Sequence, residues 1–435
     1  MNLLPAPRSS AHRWRPLETV LKATEIDTRL LGMAGALMAI WIGFHVLSGG
    51  LFLTPRNLWN LSVQSSSVAI MATGMVLVIV TRNIDLSIGS MLGFIGMIMG
   101  VVQADLLPKL IGFDHPATWA LTLVAGLLLG IVLGGLQGLL IAYLGIPSFI
   151  VTLGGLLVWR GGAWWVTHGQ TVAPLDSTFR LLGGGPEGAI GAFWSWTVGI
   201  AACVAVALLL AHGRSRRKKF QFPLRPLAAE VFLGGTICTV ILAAVAVANA
   251  YPWPIGSVRR YAEANHLALP EGGLVIAHGI AIPVLIAVGV GVATSFLARR
   301  TRFGRYAYAI GGNPEAAELA GIDTRWAVTK IFMLMGLLAA ISGAVSIARL
   351  NAATNAEGTL AELLVIAAAV IGGTSLAGGV GTVAGAMLGA VLMQSLQSGM
   401  VLLGVDSPLQ SIVVGAVLVI AAWLDILYRR RRQQA

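Results

Sequence analysis

Residues 363–405, LLVIAAAVIGGTSLAGGVGTVAGAMLGAVLMQSLQSGMVLLGV, run without one Asp, Glu, Lys or Arg. One bilayer crossing takes about 20 apolar residues at the helical rise, so the stretch is long enough for two crossings. The glycines within 372–382 interrupt it and mark the join. Working outward, uncharged stretches recur at 30–55, 57–81, 86–104, 115–159, 188–213, 231–258, 272–298, 331–348 and 407–424. The 115–159 stretch also has room for two helices, with its break around Gly145, Ile146 and Pro147. The count comes to about twelve membrane segments.

A bilayer offers no water to backbone amides, so each segment must be a helix or a break buried in protein. The fold is therefore all-α, a polytopic transmembrane helical bundle with broken or re-entrant helices. Composition agrees: 57% of residues are apolar and 11% charged, with a mean hydropathy of +0.83. A soluble domain carries about 25% charged residues. Cys203 and Cys238 both sit in apolar stretches and read as small buried residues, so no disulfide framework is expected.

Of the 29 Lys and Arg, 21 fall in residues 1–29, 213–225, 299–330 and 429–432. The positive-inside tendency assigns these segments to the cytoplasm, and the parity of crossings between them places both termini there. Residues 1–29 lack a signal-peptide core and read as a retained cytoplasmic arm; 30–426 is the membrane domain and 427–435 a basic cytoplasmic tail. The net charge of +11 thus expresses topology and attraction to anionic membrane lipid. No nucleic-acid partner is expected, because the basic residues flank helices and lack an aromatic platform.

Ion-coupled carriers keep ionisable side chains at membrane depth, and the uncharged stretches hold no Asp, Glu, Lys or Arg; His45 and His278 are titratable residues within them and read as packed and hydrogen-bonded. A P-loop needs Gly directly before its Lys, and none of Lys22, Lys109, Lys218, Lys219 and Lys330 follows Gly. Neither Gly-x-Ser-Gly nor Gly-x-Gly-Asp occurs, which argues against an intramembrane protease. No catalytic residue, metal ligand or cofactor site is expected, and the energy for transport must come from another polypeptide.

Residues 299–325 show where that polypeptide attaches. Asn313 is a natural N-cap, Pro314 suits the first helical position and Gly321 suits the left-handed residue that ends a helix. Between them Glu315, Ala316, Ala317 and Glu318 form a two-turn helix, with Glu315 near its positive end, and Gly304 bounds the segment upstream. Such a helix is too short to persist alone in water and should be stable when docked.

Here the chain resembles the permease subunits of bacterial sugar ABC importers of the ribose, galactose and xylose type. Glu315-Ala316-Ala317 followed by Gly321 is similar to the EAA loop of importer permeases. Asp85-Leu86-Ser87-Ile88-Gly89-Ser90, Pro147-Ser148-Phe149-Ile150-Val151-Thr152-Leu153 and Gly372-Gly373-Thr374-Ser375-Leu376-Ala377-Gly378-Gly379 resemble three further stretches of that family, in family order across about 55–425. The 213–272 insert, with an extra apolar segment and the Arg216 to Lys219 cluster, resembles the longer xylose-type permeases. An EAA loop of the maltose type would continue toward Leu-Pro, where this chain has Ile322-Asp323-Thr324.

The resemblance implies a bacterial inner-membrane permease that imports a monosaccharide, xylose or a similar pentose, by alternating access. It implies a cytoplasmic ABC ATPase engaging the 304–321 residues, a periplasmic or extracellular sugar-binding protein and a second permease copy, as a homodimer. An ion-coupled sugar carrier would instead need a charged relay, and an exporter of lipid or polysaccharide would not respond to a sugar-binding protein.

Asp85 has two readings. It caps the helix that follows, or it lines the translocation path with Asn83, Ser87 and Ser90, joined by Thr374 and Ser375 of the glycine-rich break. Gly126, Gly130 and Gly134, and likewise Gly385 and Gly389, mark faces where helix backbones approach closely. An internal repeat is suggested by Leu-Val-Ile before, and Met-Leu-Gly after, the breaks at 82–87 and 372–382. An inverted repeat would put these breaks on opposite sides, whereas parity puts both in the cytoplasm.

Overall fold

The computed structural model describes residues 28–112, 115–266 and 274–434; most of the basic arm lies outside them. Among the described residues ten helices are long and apolar enough to cross a membrane. They are α1 (Thr28–Leu47), α2 (Pro55–Val80), α3 (Ile88–Ile111), α4 (Thr118–Ala142), α5 (Ser148–Thr167), α6 (Gly191–Lys219), α7 (Leu227–Asn249), α9 (Ile282–Arg300), α12 (Thr324–Leu350) and α14 (Val383–Leu402), with α8 (Ile255–Ala264), α10 (Arg302–Gly312) and α11 (Pro314–Leu319) between them. Two shorter apolar elements, α13 (Ala361–Ile371) and the first part of α15 (Ser407–Gln434), complete the twelve segments anticipated from charge spacing.

Helices α2 and α12 form the centre, 89% and 78% buried over their apolar windows, whereas α1 and α7 are 6% buried and turn their side chains outward. Without a hydrophobic drive between helices in lipid, close packing of small residues holds such a centre. The glycine faces read from the sequence supply it. A methyl group added at Gly130 or Gly134 would overlap the Gly336 or Phe332 carbonyl oxygen of α12, and one at Gly385 or Gly389 would overlap the backbone of Gly372 or Ala368.

The repeat differs from the one suggested by tripeptides. Helix α2 packs on α14 as α12 packs on α4, α2 on α13 as α12 on α3, and α3 on α5 as α13 on α15. The unit α2–α5 thus corresponds to α12–α15. The two central helices are antiparallel, since Ser67 meets Ser342 at 2.6 Å while Gly74 faces Leu338 and Met335. The counterpart of the 81–87 break is therefore residues 351–360, at the opposite end of the bundle, and not 372–382. Leu-Val-Ile and Met-Leu-Gly recur because such tripeptides are common in apolar helices. The 82–87 and 372–382 breaks do share one end, as parity required: the Gly379 amide donates to the Val80 carbonyl at 2.9 Å.

Segment 351–360 explains why α13 is short. Ala353 packs near Gly100, Glu357 against Gly93 and Gly358 against Gly89, so the chain descends beside α3 without helix before α13 begins. Non-helical backbone at this depth is tolerated where protein or a water-filled cavity surrounds it. Gly89 and Gly358 face each other backbone to backbone, bringing together the N-terminal ends of α3 and α13, with no room for a side chain on either.

Candidate functional site

Around α11, local sequence sets the geometry. The Asn313 carboxamide accepts from the Ala316 amide at 3.0 Å, Pro314 occupies the first turn, and Gly321 takes a φ of +80°. Asp323 then caps α12 by accepting from the Trp326 amide at 2.9 Å. One face of α11 is fastened, because Ala317 is buried with Ile310, Ala327 and Ile322. The other face is free: Glu315, Ala316 and Glu318 are exposed, and Leu319 is 90% exposed. Leu319 thus stands as an apolar side chain in the open at the end of a two-turn helix.

This loop is tied to both breaks. Arg82 donates from Nε to the Gly311 carbonyl at 2.9 Å and from Nη2 to the Gly312 carbonyl at 2.8 Å. The Tyr308 hydroxyl donates to the Gly381 carbonyl at 2.7 Å, and burial raises the pKa of that phenol. Gly304 packs on the end of α9, where a methyl group would overlap the Ala298 carbonyl oxygen. These contacts join α10, directly before α11, to the end of α2 and the start of α14.

The remaining motifs gather at the same end. The Ile84 amide donates to Ser148 Oγ at 3.3 Å and Thr152 Oγ1 donates to the Ile84 carbonyl at 3.3 Å, joining the start of α5 to the 81–87 break. Asp85 is fully buried; its Oδ1 accepts from the Ser87 amide at 2.8 Å and Ser87 Oγ at 2.7 Å, a local turn at the head of α3. Gln137 Nε2 donates to Ser87 Oγ at 2.8 Å, and Ser90 donates to the Ser87 carbonyl. Asn83 is half-buried and donates to Thr81; Thr374 and Ser375 are buried in the other break. These six residues do not line the large cavity of the bundle.

That cavity, about 450 Å³, opens toward the opposite end, between α2, α12, α14 and the 357–364 segment. Its α2 wall carries Asn57, Asn60, Gln64 and Ser67, and its α14 wall Gln394, Gln397 and Ser398. Two links cross it, Gln394 Nε2 to Gln64 Oε1 at 3.1 Å and Ser398 Oγ to Asn57 Oδ1 at 3.5 Å. Neutral amides escape a search for charge, which is why sequence reading passed over them. Their spacing of three, four and three along α2 was the available signal of a polar helix face.

Ionisable side chains nonetheless lie within the bundle. Uncharged stretches are not the same as uncharged depth: Asp85 and Glu362 are buried, Glu357 lines the cavity, and Arg160 lies within α5. Each sits between the stretches counted in sequence, at a break or on a helix that continues past the stretch. Arg160 Nη1 donates to Thr359 Oγ1 at 2.7 Å and to the Asn355 carbonyl at 3.3 Å, holding the non-helical segment in place. Ser346 Oγ donates to the Glu357 carboxylate. Among the described residues no group of three His, Cys, Asp or Glu forms a metal-binding constellation.

Comparison with known proteins decides the family. The model described as "Branched-chain amino acid transport system / permease component" matches residues 57–422. The xylose transport system permease protein XylH of Escherichia coli K12 is 36% identical over 406 residues, covering 93% of this chain and 94% of that protein. The ribose import permease protein RbsC of the same strain is 31% identical, covering 86% of this chain and 87% of its own length, and the galactose/methyl galactoside import permease protein MglC 28%, covering 88% and 90%. No solved structure matches the chain. With the match spanning α2 to α15 and the similarity to XylH extending over nearly the whole length of both proteins, the chain belongs to the family of multi-pass membrane permease components of transport systems.

Proposed function

We propose that this chain is the permease of an ATP-driven importer that carries a monosaccharide, xylose or a similar pentose, across the bacterial inner membrane. The observation that carries the reading is α11: a capped two-turn helix, anchored on one face, bare on the other and tied through Arg82 and Tyr308 to both breaks. Identity of 36% to a xylose permease, against 31% and 28% to ribose and galactoside permeases, favours a pentose.

The basic residues at the end of α6 and of α9, the α10–α11 loop and the C-terminal end of α15 all lie at one end of the bundle, which the positive-inside tendency assigns to the cytoplasm. Both termini are then cytoplasmic, and the basic ends meet anionic lipid. A cytoplasmic ATPase engages Gly304, Asn313 to Glu318 and Gly321, and two permease copies serve two ATPases. A soluble sugar-binding protein delivers the cargo at the opposite end. On this reading Asp85, Ser87 and Ser90 belong to the closed inner half of the path, and Asn83, Thr374 and Ser375 to its inner mouth. The test is reconstitution of the chain with its ATPase: sugar-loaded binding protein should raise ATP hydrolysis and drive xylose uptake. An ATPase indifferent to any sugar-binding protein would favour an exporter.

A further inference from the structure

We infer that the cavity between α2 and α14 is a weak binding station for one cyclic polyol, with Asn60, Gln64, Gln394 and Gln397 as the side chains that meet its hydroxyls. The inference deepens the importer reading and rests on it for the direction of transport. Its volume of about 450 Å³ lies in the range of small-molecule sites, about 300–1,000 Å³. The facing walls carry carboxamides, each offering two donors and one acceptor group. Sugar hydroxyls both donate and accept, so neutral amides satisfy them without the desolvation cost of a charge.

Depth order adds a second argument. Along α2 the lining runs from Asn57, Asn60, Gln64 and Ser67 to Val68 and Met71, and Leu92 and Leu364 approach from α3 and α13 at the same inner end. A mouth lined by amides admits a polyol from the far end, and below it Val68, Met71, Leu92 and Leu364 leave the 357–359 segment as the polar part of the lining. The cavity is open away from α11 and closed toward it.

The Gln64–Gln394 contact accounts for weakness. That contact uses one N–H of Gln394 and the Oε1 of Gln64 at 3.1 Å, so an entering sugar gives up one existing hydrogen bond for those it makes to the remaining amide groups of the pair, which lowers its net gain. A conduit must release its cargo, and this arrangement favours release. Selectivity then rests with the soluble receptor, while the amide walls offer the hydroxyls of a polyol partners that the apolar side chain of a branched amino acid cannot use; Arg349 and Glu357, also in the lining, would meet only the charged ends of such a solute.

Two measurements test the station. In the reconstituted complex, Gln64→Leu and Gln394→Leu should each lower the xylose moved per ATP hydrolysed about tenfold, as loss of one or two hydrogen bonds predicts. Unchanged stoichiometry in both variants would overturn the proposal. In a Cys203→Ser, Cys238→Ser background, Gln397→Cys should react with a membrane-impermeant maleimide applied from outside, more slowly in 100 mM xylose and at the same rate in 100 mM leucine. Protection by leucine alone, or by neither solute, would overturn the proposal. The labelling arm needs no transport. If the wild-type complex shows no ATP-dependent uptake, the importer reading fails while labelling still decides what the cavity holds.

Discussion

Leu319 provides the sharpest quantitative handle on ATPase engagement. Its side chain is 90% exposed, on a helix whose other face is already packed through Ala317. Complete burial of a leucine is worth about 1.5–3 kcal/mol. Leu319→Ala keeps the Cβ and discards most of that gain, so affinity for the ATPase should fall about ten- to thirtyfold, at 1.4 kcal/mol per factor of ten. The bundle itself should be unaffected, since surface changes of this kind stay within about 0.5 kcal/mol. The assay titrates purified ATPase against detergent-solubilised permease and follows complex formation, with thermal unfolding of the permease measured in parallel. Leu319→Met, which preserves apolar area, should bind nearly as the native chain does. Equal affinity of the Ala variant and the native chain would refute the claim that Leu319 is buried on docking.

Gly311→Ala would place a methyl group on the Val80 carbonyl oxygen and disturb the seat that Arg82 makes for the loop; uptake should be lost while the isolated permease still folds, as size-exclusion chromatography would show. Gly134→Leu must displace the Phe332 backbone at a close helix contact, so stability should fall by at least the roughly 1–3 kcal/mol typical of overpacking, seen as a lower thermal midpoint. Arg160→Met removes three contacts to residues 355–359 and should speed hydrogen exchange there while leaving α2 protected. His278 stacks on Tyr251 with ring centroids 4.3 Å apart, its Nδ1 lies 3.0 Å from the Tyr251 carbonyl, and burial lowers its pKa from 6.5. The folded protein therefore binds fewer protons there than the unfolded chain: stability is whole above about pH 6.5 and declines as pH falls below it. Thermal unfolding from pH 8 to 5 should show this decline, and His278→Phe, which keeps the stack, should flatten it.

Charge spacing made the ten long apolar helices and the two shorter ones legible because a charge is costly in hydrocarbon wherever no protein partner receives it. The same rule misled at Asp85, Arg160, Glu357 and Glu362, each of which has found protein surroundings inside the bundle or beside its cavity. The α11 helix was readable from Asn313, Pro314 and Gly321 because caps are local chemistry. The repeat was not, because correspondence between α2–α5 and α12–α15 lies in which helices pack together, and tripeptides carry no record of packing. The Asn and Gln faces of α2 and α14 were hidden for a further reason: neutral amides do not interrupt an uncharged stretch. Gly130 and Gly134, in contrast, announced their contact through spacing by four, the period of one helix face.

The central claim is that this chain borrows its force through α11 and supplies none itself, although carboxylates lie within its bundle. Proteoliposomes bearing the permease with or without its ATPase test it directly. With ATPase, ATP and sugar-loaded binding protein, labelled xylose should accumulate, and accumulation should vanish when residues 313–320 are replaced by a Gly-Ser linker. With an imposed proton or sodium gradient and no nucleotide, none should occur. Uptake driven by either gradient, or full ATP-driven uptake by the linker variant, would contradict the account.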